Sequence, residues 1–398
     1  MTETMKISAS KQAVETFQKG YPLIHEDMVN KREKLSEEGT VFDLMTPQGQ
    51  FIAKAYYGLQ NKGIGWILTN KKEEAIDQQF FVGKLSAALQ RRKAFFEDES
   101  TTAFRIFNGE GDGIGGLTID YFNGYYMLQW YSAGIYAFRS LIIRALEAVT
   151  AYEGLYEKRR FQQQGQYIEG DDFVKGKEAP APLHVKENGM TFAVYLNDGA
   201  MVGIFLDQRE ARKRLRDEYS AGKTVLNTFS YTGAFSVAAH HGGAAKTVDV
   251  DVANRSKSRV QENFELNGVI SEDQEIRIMD VFAYFDYAKK KNITYDVIVL
   301  DPPSFARTKK RTFSAAKDYT SLLVDAISII KDGGTIIAST NFGGFGMKAF
   351  QKQIDKACTK AEVKQNVTER VRLPDDHPYT ASYKEGDYLK VVFIEITK

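Results

Sequence analysis

V-L-N-T-F-S-Y-T-G-A-F-S-V-A-A-H-H-G-G-A-A-K-T-V-D-V-D, residues Val225 to Asp251, reads as strand, turn, helix and strand. The apolar run Thr224–Leu226 opens it. Phe229, Ser230, Tyr231, Thr232 and Gly233 make a turn, and Ala234, Phe235, Val237 and Ala238 carry a helical repeat ended by Gly242-Gly243. Lys246 to Val250 form a second strand that finishes on Asp251. That order is one parallel βαβ unit. A glycine in the first βα turn lets a ligand approach backbone at a helix N-terminus. An acid closing the second strand can accept both hydroxyls of a ribose.

Only Gly233 lies in that turn, so the three-glycine cradle for a pyrophosphate is missing. A nucleoside ligand without phosphates needs no cradle, and S-adenosylmethionine is such a ligand. The alternative is that Asp251 merely caps the next helix, Ala253 to Leu266.

From Thr224 onward strands and helices alternate. Strands are expected at Thr224–Leu226, Lys246–Val250, Glu275–Met279, Asp296–Leu300, Gly334–Ala338 and Leu389–Ile396. Helices are expected at Ala234–His241, Ala253–Leu266, Phe282–Lys289, Lys317–Ile330 and Lys348–Lys360. This predicts an α/β fold, a Rossmann-like doubly wound sheet that binds ligands at the carboxyl ends of its strands. Asp251, Asp280 and Asp301 fall in order at those ends. Asp280 could accept an adenine N–H beside Val281, or cap the helix beginning near Phe282.

Asp301-Pro-Pro-Ser-Phe305 is the sharpest signal. The prolines stiffen the strand exit and lack N–H groups. Asp301 and the Pro302 carbonyl become fixed acceptors, and Phe305 offers a ring for a planar base. An exocyclic amine is a poor nucleophile because its lone pair is delocalised. Acceptors that hold its hydrogens orient the nitrogen and favour localising that pair. The alternative is a rigid strand exit with a buried Phe305. Arg307, Lys309, Lys310 and Arg311 follow directly and suit RNA phosphates.

The preceding chain divides in two. Residues 1–72 read as short strands in a small β-barrel. Residues 73–182 read as a central α/β domain, with helices at Lys71–Phe96 and Phe138–Val149. The charged, proline-bearing stretch Lys175–Pro182 bounds the third domain, 183–398, which includes a basic helix at Glu210–Tyr219. Gly111-Asp-Gly-Ile-Gly-Gly116 matches a dinucleotide fingerprint letter for letter, but a hairpin turning at Asn123-Gly124 follows it, not a helix. Further basic clusters lie at Gln90–Lys93 and Lys158–Arg160.

With 53 Lys and Arg against 52 Asp and Glu, no global field attracts polyanions, so any RNA site must come from local charge. The single cysteine, Cys358, excludes disulfides and cysteine-rich zinc sites and fits a cytoplasmic protein. The histidines show no metal spacing. No signal peptide or membrane-spanning run is evident.

With these residues placed, the chain resembles the RlmI-like family of S-adenosylmethionine-dependent large-subunit ribosomal RNA methyltransferases. The resemblance covers nearly the whole chain. It rests on Gly109–Asp120, Gly203–Arg209, Phe229–Phe235, Glu262–Gly268, Asp301–Phe305 and Asp376-His-Pro378. It implies a PUA-like RNA-binding domain at the N-terminus, and it places Asp207, Gln208 and Arg209 near the methionine end of the cofactor. Members that make 5-methylcytosine need a cysteine just after the fifth strand, because a thiolate must add to the ring first. Here that place reads Ala338-Ser-Thr-Asn-Phe-Gly-Gly344, which looks like the turn of RlmK-type guanine methyltransferases. The expectation is therefore transfer to a base nitrogen. Alternatives are 5-methylcytosine formation, a non-catalytic RNA-binding or assembly protein retaining cofactor affinity, and a small-molecule methyltransferase. A homodimer is compatible with the sequence.

Overall fold

The structure is a computed structural model describing residues 4–30, 32–60, 63–161, 167–269, 271–307 and 312–398. The chain forms two compact units. The first comprises Met1–Leu183, Tyr195–Val202 and Asp375–Gly386; the second comprises His184–Val194, Gly203–Pro374 and Asp387–Lys398.

The first unit holds two five-stranded sheets. One orders Met5–Ser8, Val41–Met45, Phe51–Gln60, Gly63–Thr69 and Leu23–Ile24, with only the first pair parallel. The other orders Phe173–Gly176, Gly154–Arg159, Tyr125–Trp130, Leu117–Phe122 and Ala103–Asn108. Helices Gln78–Arg91 and Arg139–Val149 bury Phe81, Leu85, Ile142 and Leu146 in its core. The first of these starts later than the expected Lys71, because Asp77 caps it by accepting the Phe80 N–H at 3.0 Å.

The G-x-G-x-x-G stretch is structural, as its hairpin context implied. Gly109–Asp112 is a single 3₁₀ turn, and Leu117–Phe122 follows as a strand. Asp112 takes both prongs of the Arg92 guanidinium at 2.8 and 2.7 Å, and the Asn108 N–H at 2.7 Å. Arg92 is fully buried and also donates to the Asp376 carbonyl at 2.8 Å. A Cβ on Gly111 would stand 1.9 Å from the Pro378 carbonyl oxygen, so only glycine fits. The Asp376-His-Pro378 motif, expected within 183–398, thus packs inside the first unit.

The second unit is a seven-stranded sheet with helices on both faces. In chain order its strands are β1 (Thr224–Thr228), β2 (Lys246–Asp251), β3 (Gln274–Ile278), β4 (Tyr295–Leu300), β5 (Ile330–Thr340), β6 (Lys364–Val371) and β7 (Lys390–Thr397). They lie in the order 3-2-1-4-5-7-6. β1 to β5 are parallel, β7 runs antiparallel to β5, and β6 antiparallel to β7. The helices are α1 (Ala234–His241), α2 (Asn254–Leu266), α3 (Val281–Lys290), α4 (Ala315–Ile329) and α5 (Met347–Lys360). Central strands such as V-I-V-L of β4 are apolar throughout because helices cover both faces. Leu226, Ile298 and Ile336 serve one face, and Val225, Val299 and Ile337 the other.

Two elements depart from expectation. β6 was not foreseen: K-Q-N-V-T-E-R-V buries no residue, since an edge strand with one wet face carries no apolar run. The basic helix begins at Arg209, one residue earlier, and becomes a π turn at Leu215–Tyr219.

Removing Arg92 strips the buried Asp112 carboxylate of its two-pronged partner and leaves it the half-exposed Arg91 at 3.0 Å and the Asn108 N–H. R92M should lower the unfolding free energy of the first unit by about 3–5 kcal/mol. Urea unfolding followed by Trp66 and Trp130 fluorescence reads this, and a loss below about 1 kcal/mol would show that the pair is not fully buried.

Candidate active site at the carboxyl ends of the strands

Three acids stand where β2, β3 and β4 end, and the chain itself holds each one. Asp251 is half-buried. Its Oδ2 accepts the Tyr231 N–H at 2.9 Å and its Oδ1 the Ala253 N–H at 2.8 Å. Each carboxylate oxygen has a second lone pair, so these bonds aim the group without exhausting it. Asp280 caps α3, its Oδ1 accepting the N–H groups of Phe282 and Ala283, both at 3.1 Å. The capping alternative is therefore realised there.

Asp301 is tied by Gln208, whose Nε2 donates to its Oδ1 at 2.9 Å and is also 2.7 Å from Ser339 Oγ at the end of β5. Burial pushes the Asp301 carboxyl up to about 6, and the charge of Asp207 adds to this. Because the carboxylate requires an N–H, the Gln208 amide can face it only one way. Gln208 Oε1 is then buried with no partner. Asp207 in turn accepts the Tyr388 hydroxyl at 3.0 Å. Arg209 is buried beside them.

The turn between β1 and α1 is strained. Phe229 and Tyr231 adopt φ of 55° and 52°, left-handed values that cost a non-glycine residue of order 1–3 kcal/mol each. Several hydrogen bonds over-determine it. The Ser230 N–H meets the Val250 carbonyl at 3.2 Å, Thr232 Oγ1 donates to the Gly203 carbonyl at 2.6 Å, and Asn263 Nδ2 donates to the Thr232 carbonyl at 2.8 Å. Gly233 has φ 75°, and a Cβ there would lie 2.9 Å from the Val260 side chain.

Asn263 also accepts the Ala193 N–H at 2.9 Å, and Asn267 grips Thr191 through both its N–H and its carbonyl. These two asparagines stitch α2 to the hairpin Leu183–Glu187/Met190–Val194. Asn267 is also the C-cap of α2, and its i, i+4 spacing from Asn263 sets both side chains on one helix face. Arg212 and Glu187 form a buried two-pronged pair at 2.7 and 2.6 Å, and Arg212 holds the Phe205 carbonyl at 2.7 Å.

Beyond β4, Pro302 is buried and Ser304 Oγ donates to Asn341 Oδ1 at 2.6 Å. Phe305 is 63% exposed, so the buried-ring alternative does not hold. Phe305–Arg307 pairs with Thr312–Ser314 as a small hairpin. The Arg307 side chain, and Lys309, Lys310 and Arg311 entirely, lie outside the described residues. Cys358 is buried on α5 in the hydrophobic core, and burial pushes its thiol up to about 11. A thiol so placed is a packing group rather than a nucleophile.

A sequence profile of S-adenosylmethionine-dependent methyltransferases matches residues 105–384. The chain belongs to that family. A PUA-like domain profile matches residues 9–70. Over 394 residues the chain is 53% identical to YwbD of Bacillus subtilis (strain 168), provisionally named a ribosomal RNA large subunit methyltransferase, covering 98% of this chain and 100% of the relative. It is 30% identical over 400 residues to ribosomal RNA large subunit methyltransferase I of Pseudoalteromonas translucida (strain TAC 125), with 100% of both chains covered. The crystal structure of SMU.776, provisionally named a methyltransferase and complexed with SAH, matches with a TM-score of 0.91 at 37% identity, covering 98% of this chain and 100% of that one. The RlmI-like resemblance and the expected fold class are thus borne out. The chain is an S-adenosylmethionine-dependent methyltransferase with a PUA-like domain near its N-terminus.

Beneath the strained turn lies a polar cluster that the sequence did not reveal. Asp249, in the middle of β2, is fully buried. Its Oδ1 accepts from Asn227 Nδ2 at 3.0 Å and Ser236 Oγ at 2.8 Å, while Oδ2 has no partner. Burial pushes its carboxyl up to about 7. A folded-state value above the ordinary one means that the fold favours the protonated acid. Its contribution to stability is therefore full below about pH 4 and declines as pH rises through about 7. D249N should remove that decline. Relative to the wild type, it should gain about 2–4 kcal/mol between pH 5 and pH 8 in urea unfolding. Parallel pH profiles for the two proteins would contradict this assignment.

Proposed function

We propose that this chain transfers a methyl group to a base nitrogen of large-subunit ribosomal RNA, with guanine as first choice and adenine second. The observation that carries the reading is the strand-end pairing of a held Asp301 carboxylate with an exposed Phe305 ring. The printed names of YwbD and of methyltransferase I support the RNA. Residues 1–72, 73–182 and 183–398, with Asp375–Gly386 set apart, are proposed as RNA-binding, central and catalytic parts.

S-adenosylmethionine supplies an electrophilic methyl on its sulfonium. The residues present fit it. Gln208 Oε1, buried and unpartnered, matches the ammonium of a methionine moiety, with Asp207 and Arg209 alongside. Asp251 would take the ribose hydroxyls, and the Phe229–Gly233 turn would lie along the nucleoside. Asp280 and Val281 would face the adenine edge.

On the acceptor side, Asp301 and the Pro302 carbonyl would accept the hydrogens of the base nitrogen and aim its lone pair. Phe305 would stack on the base, and Arg307, Lys309, Lys310 and Arg311 would hold flanking phosphates. Ser339 and Thr340 end β5, Asn341 opens the turn after it, and Cys358 is buried in the core. This chemistry therefore needs no thiolate.

Large-subunit ribosomal RNA from a strain lacking the gene is the test substrate. D301A should lower kcat by about 10²-fold or more, and F305A should weaken RNA docking by about 1–3 kcal/mol. F305A should leave S-adenosylhomocysteine affinity intact, whereas D251A should weaken that affinity by roughly 1.5–3 kcal/mol; D301A, which also releases the Gln208 amide, is read by kcat at saturating cofactor. Because Asp301 works as the carboxylate and titrates at about 6, kcat/KM should fall as pH drops through about 6. Full activity of D301A would sink the proposal.

A further inference from the structure

The turn that follows β5 reads Asn341-Phe-Gly-Gly-Phe-Gly346. Three glycines in six residues give it little shape of its own. Something outside the turn must fix it, and the structure shows what does.

Lys390 opens β7 opposite Thr340 of β5. It is 2% exposed. Its Nζ donates to the Phe342 carbonyl at 2.7 Å and to the Phe345 carbonyl at 3.0 Å, and stands 5.3 Å from the centre of the Phe345 ring. Among the described residues no carboxylate forms an ion pair with it; Asp387, its neighbour in sequence, pairs with Arg372 at 2.6 Å. Burial pulls its ammonium down to about 8. The charge of Asp387 opposes this without forming an ion pair; a buried ammonium so weakly compensated is costly, and a methionine or leucine of similar volume would suit the interior better. Two converging N–H donors can do what an apolar side chain cannot: they hold two carbonyls of a glycine-rich turn at a fixed separation.

The turn bears directly on the acceptor side. Its first residue, Asn341, accepts the Ser304 hydroxyl at 2.6 Å, and Ser304 lies between Asp301 and Phe305. The far end is anchored too, with the Phe345 ring stacked near Phe350 at 6.1 Å. Two hydrogen bonds joined by the Asn341–Phe342 backbone thus link Lys390 to the Asp301–Phe305 loop.

We propose that Lys390 is a positioning residue for the acceptor base. Its ammonium sets the Asn341–Gly346 turn, and through the Asn341–Ser304 bond it sets the loop that presents Asp301 and Phe305. This rests on the reading that the loop receives an RNA base.

The test compares full-length K390M and K390Q, whose side chains have equal length but differ in donor capacity. In K390M, amide deuterium exchange at 341–346 and 304–306 should quicken at least tenfold. The kcat for methyl transfer to large-subunit ribosomal RNA from a strain lacking the gene should fall at least tenfold, with S-adenosylhomocysteine affinity within twofold of wild type. K390Q should lie between K390M and wild type in both readouts. S304A should quicken exchange at 304–306 and lower kcat several-fold while leaving 342–346 protected.

Wild-type exchange in K390M would overturn the proposal, as would a fall in S-adenosylhomocysteine affinity that matches the fall in kcat. If K390M does not fold, K390Q and S304A decide by the same readouts. If the wild-type chain transfers no methyl to RNA, the proposed function fails, and exchange alone still decides whether Lys390 sets the turn.

Discussion

The carboxamide of Gln208 joins two strand ends. Its N–H groups reach Asp301 after β4 and Ser339 at the end of β5, and its carbonyl is left buried without a partner. A buried acceptor left unmade costs roughly 1–3 kcal/mol. That cost makes sense where a ligand supplies the missing donor. The same logic runs along the sheet edge. Asp251, Asp280 and Asp301 are each fixed by donors of the chain itself, so their positions do not depend on what binds them. Pre-set acceptors reorganise little when charge shifts in a reaction.

A parallel sheet delivers these groups because all its strand ends open on one side. Apolar packing holds the strands but fixes no turn at their ends. Polar contacts do that: Asn263 on the Thr232 carbonyl, Thr232 on Gly203, and the Arg212–Glu187 pair on Phe205. Together they sustain left-handed backbone at Phe229 and Tyr231, a strain that a loosely held loop would relax. The first unit uses the same device for another end. There a glycine-rich turn, Asp112 and Arg92 secure the Asp376–Pro378 segment rather than a ligand.

Much of the second unit was legible in the sequence because its signals are local. Apolar runs bounded by glycine and acid gave β1, β2 and β4, and their carboxyl-end acids followed directly. β6 was illegible because a polar edge strand has no such run. The role of Asn263 was hidden because its partners, Ala193 and Thr232, are distant in sequence. Asp249 looked like an ordinary polar residue in a strand, and only burial against Asn227 and Ser236 distinguishes it. Asp280 showed the reverse case. Its position allowed either a ligand contact or a helix cap, and the structure shows the cap. The turn-holding role of Lys390 could not be read at all, since a lysine at a strand end is usually solvated.

We propose methyl transfer to a base nitrogen, directed by acceptors at Asp301 and Pro302 without a thiolate. Its most direct test is nucleoside mass spectrometry of large-subunit ribosomal RNA after incubation with the purified chain and methyl-labelled S-adenosylmethionine, using RNA from a strain lacking the gene. Label is expected in an N-methylated purine, with C358S as active as wild type. Label in 5-methylcytosine, or its loss in C358S, would contradict it.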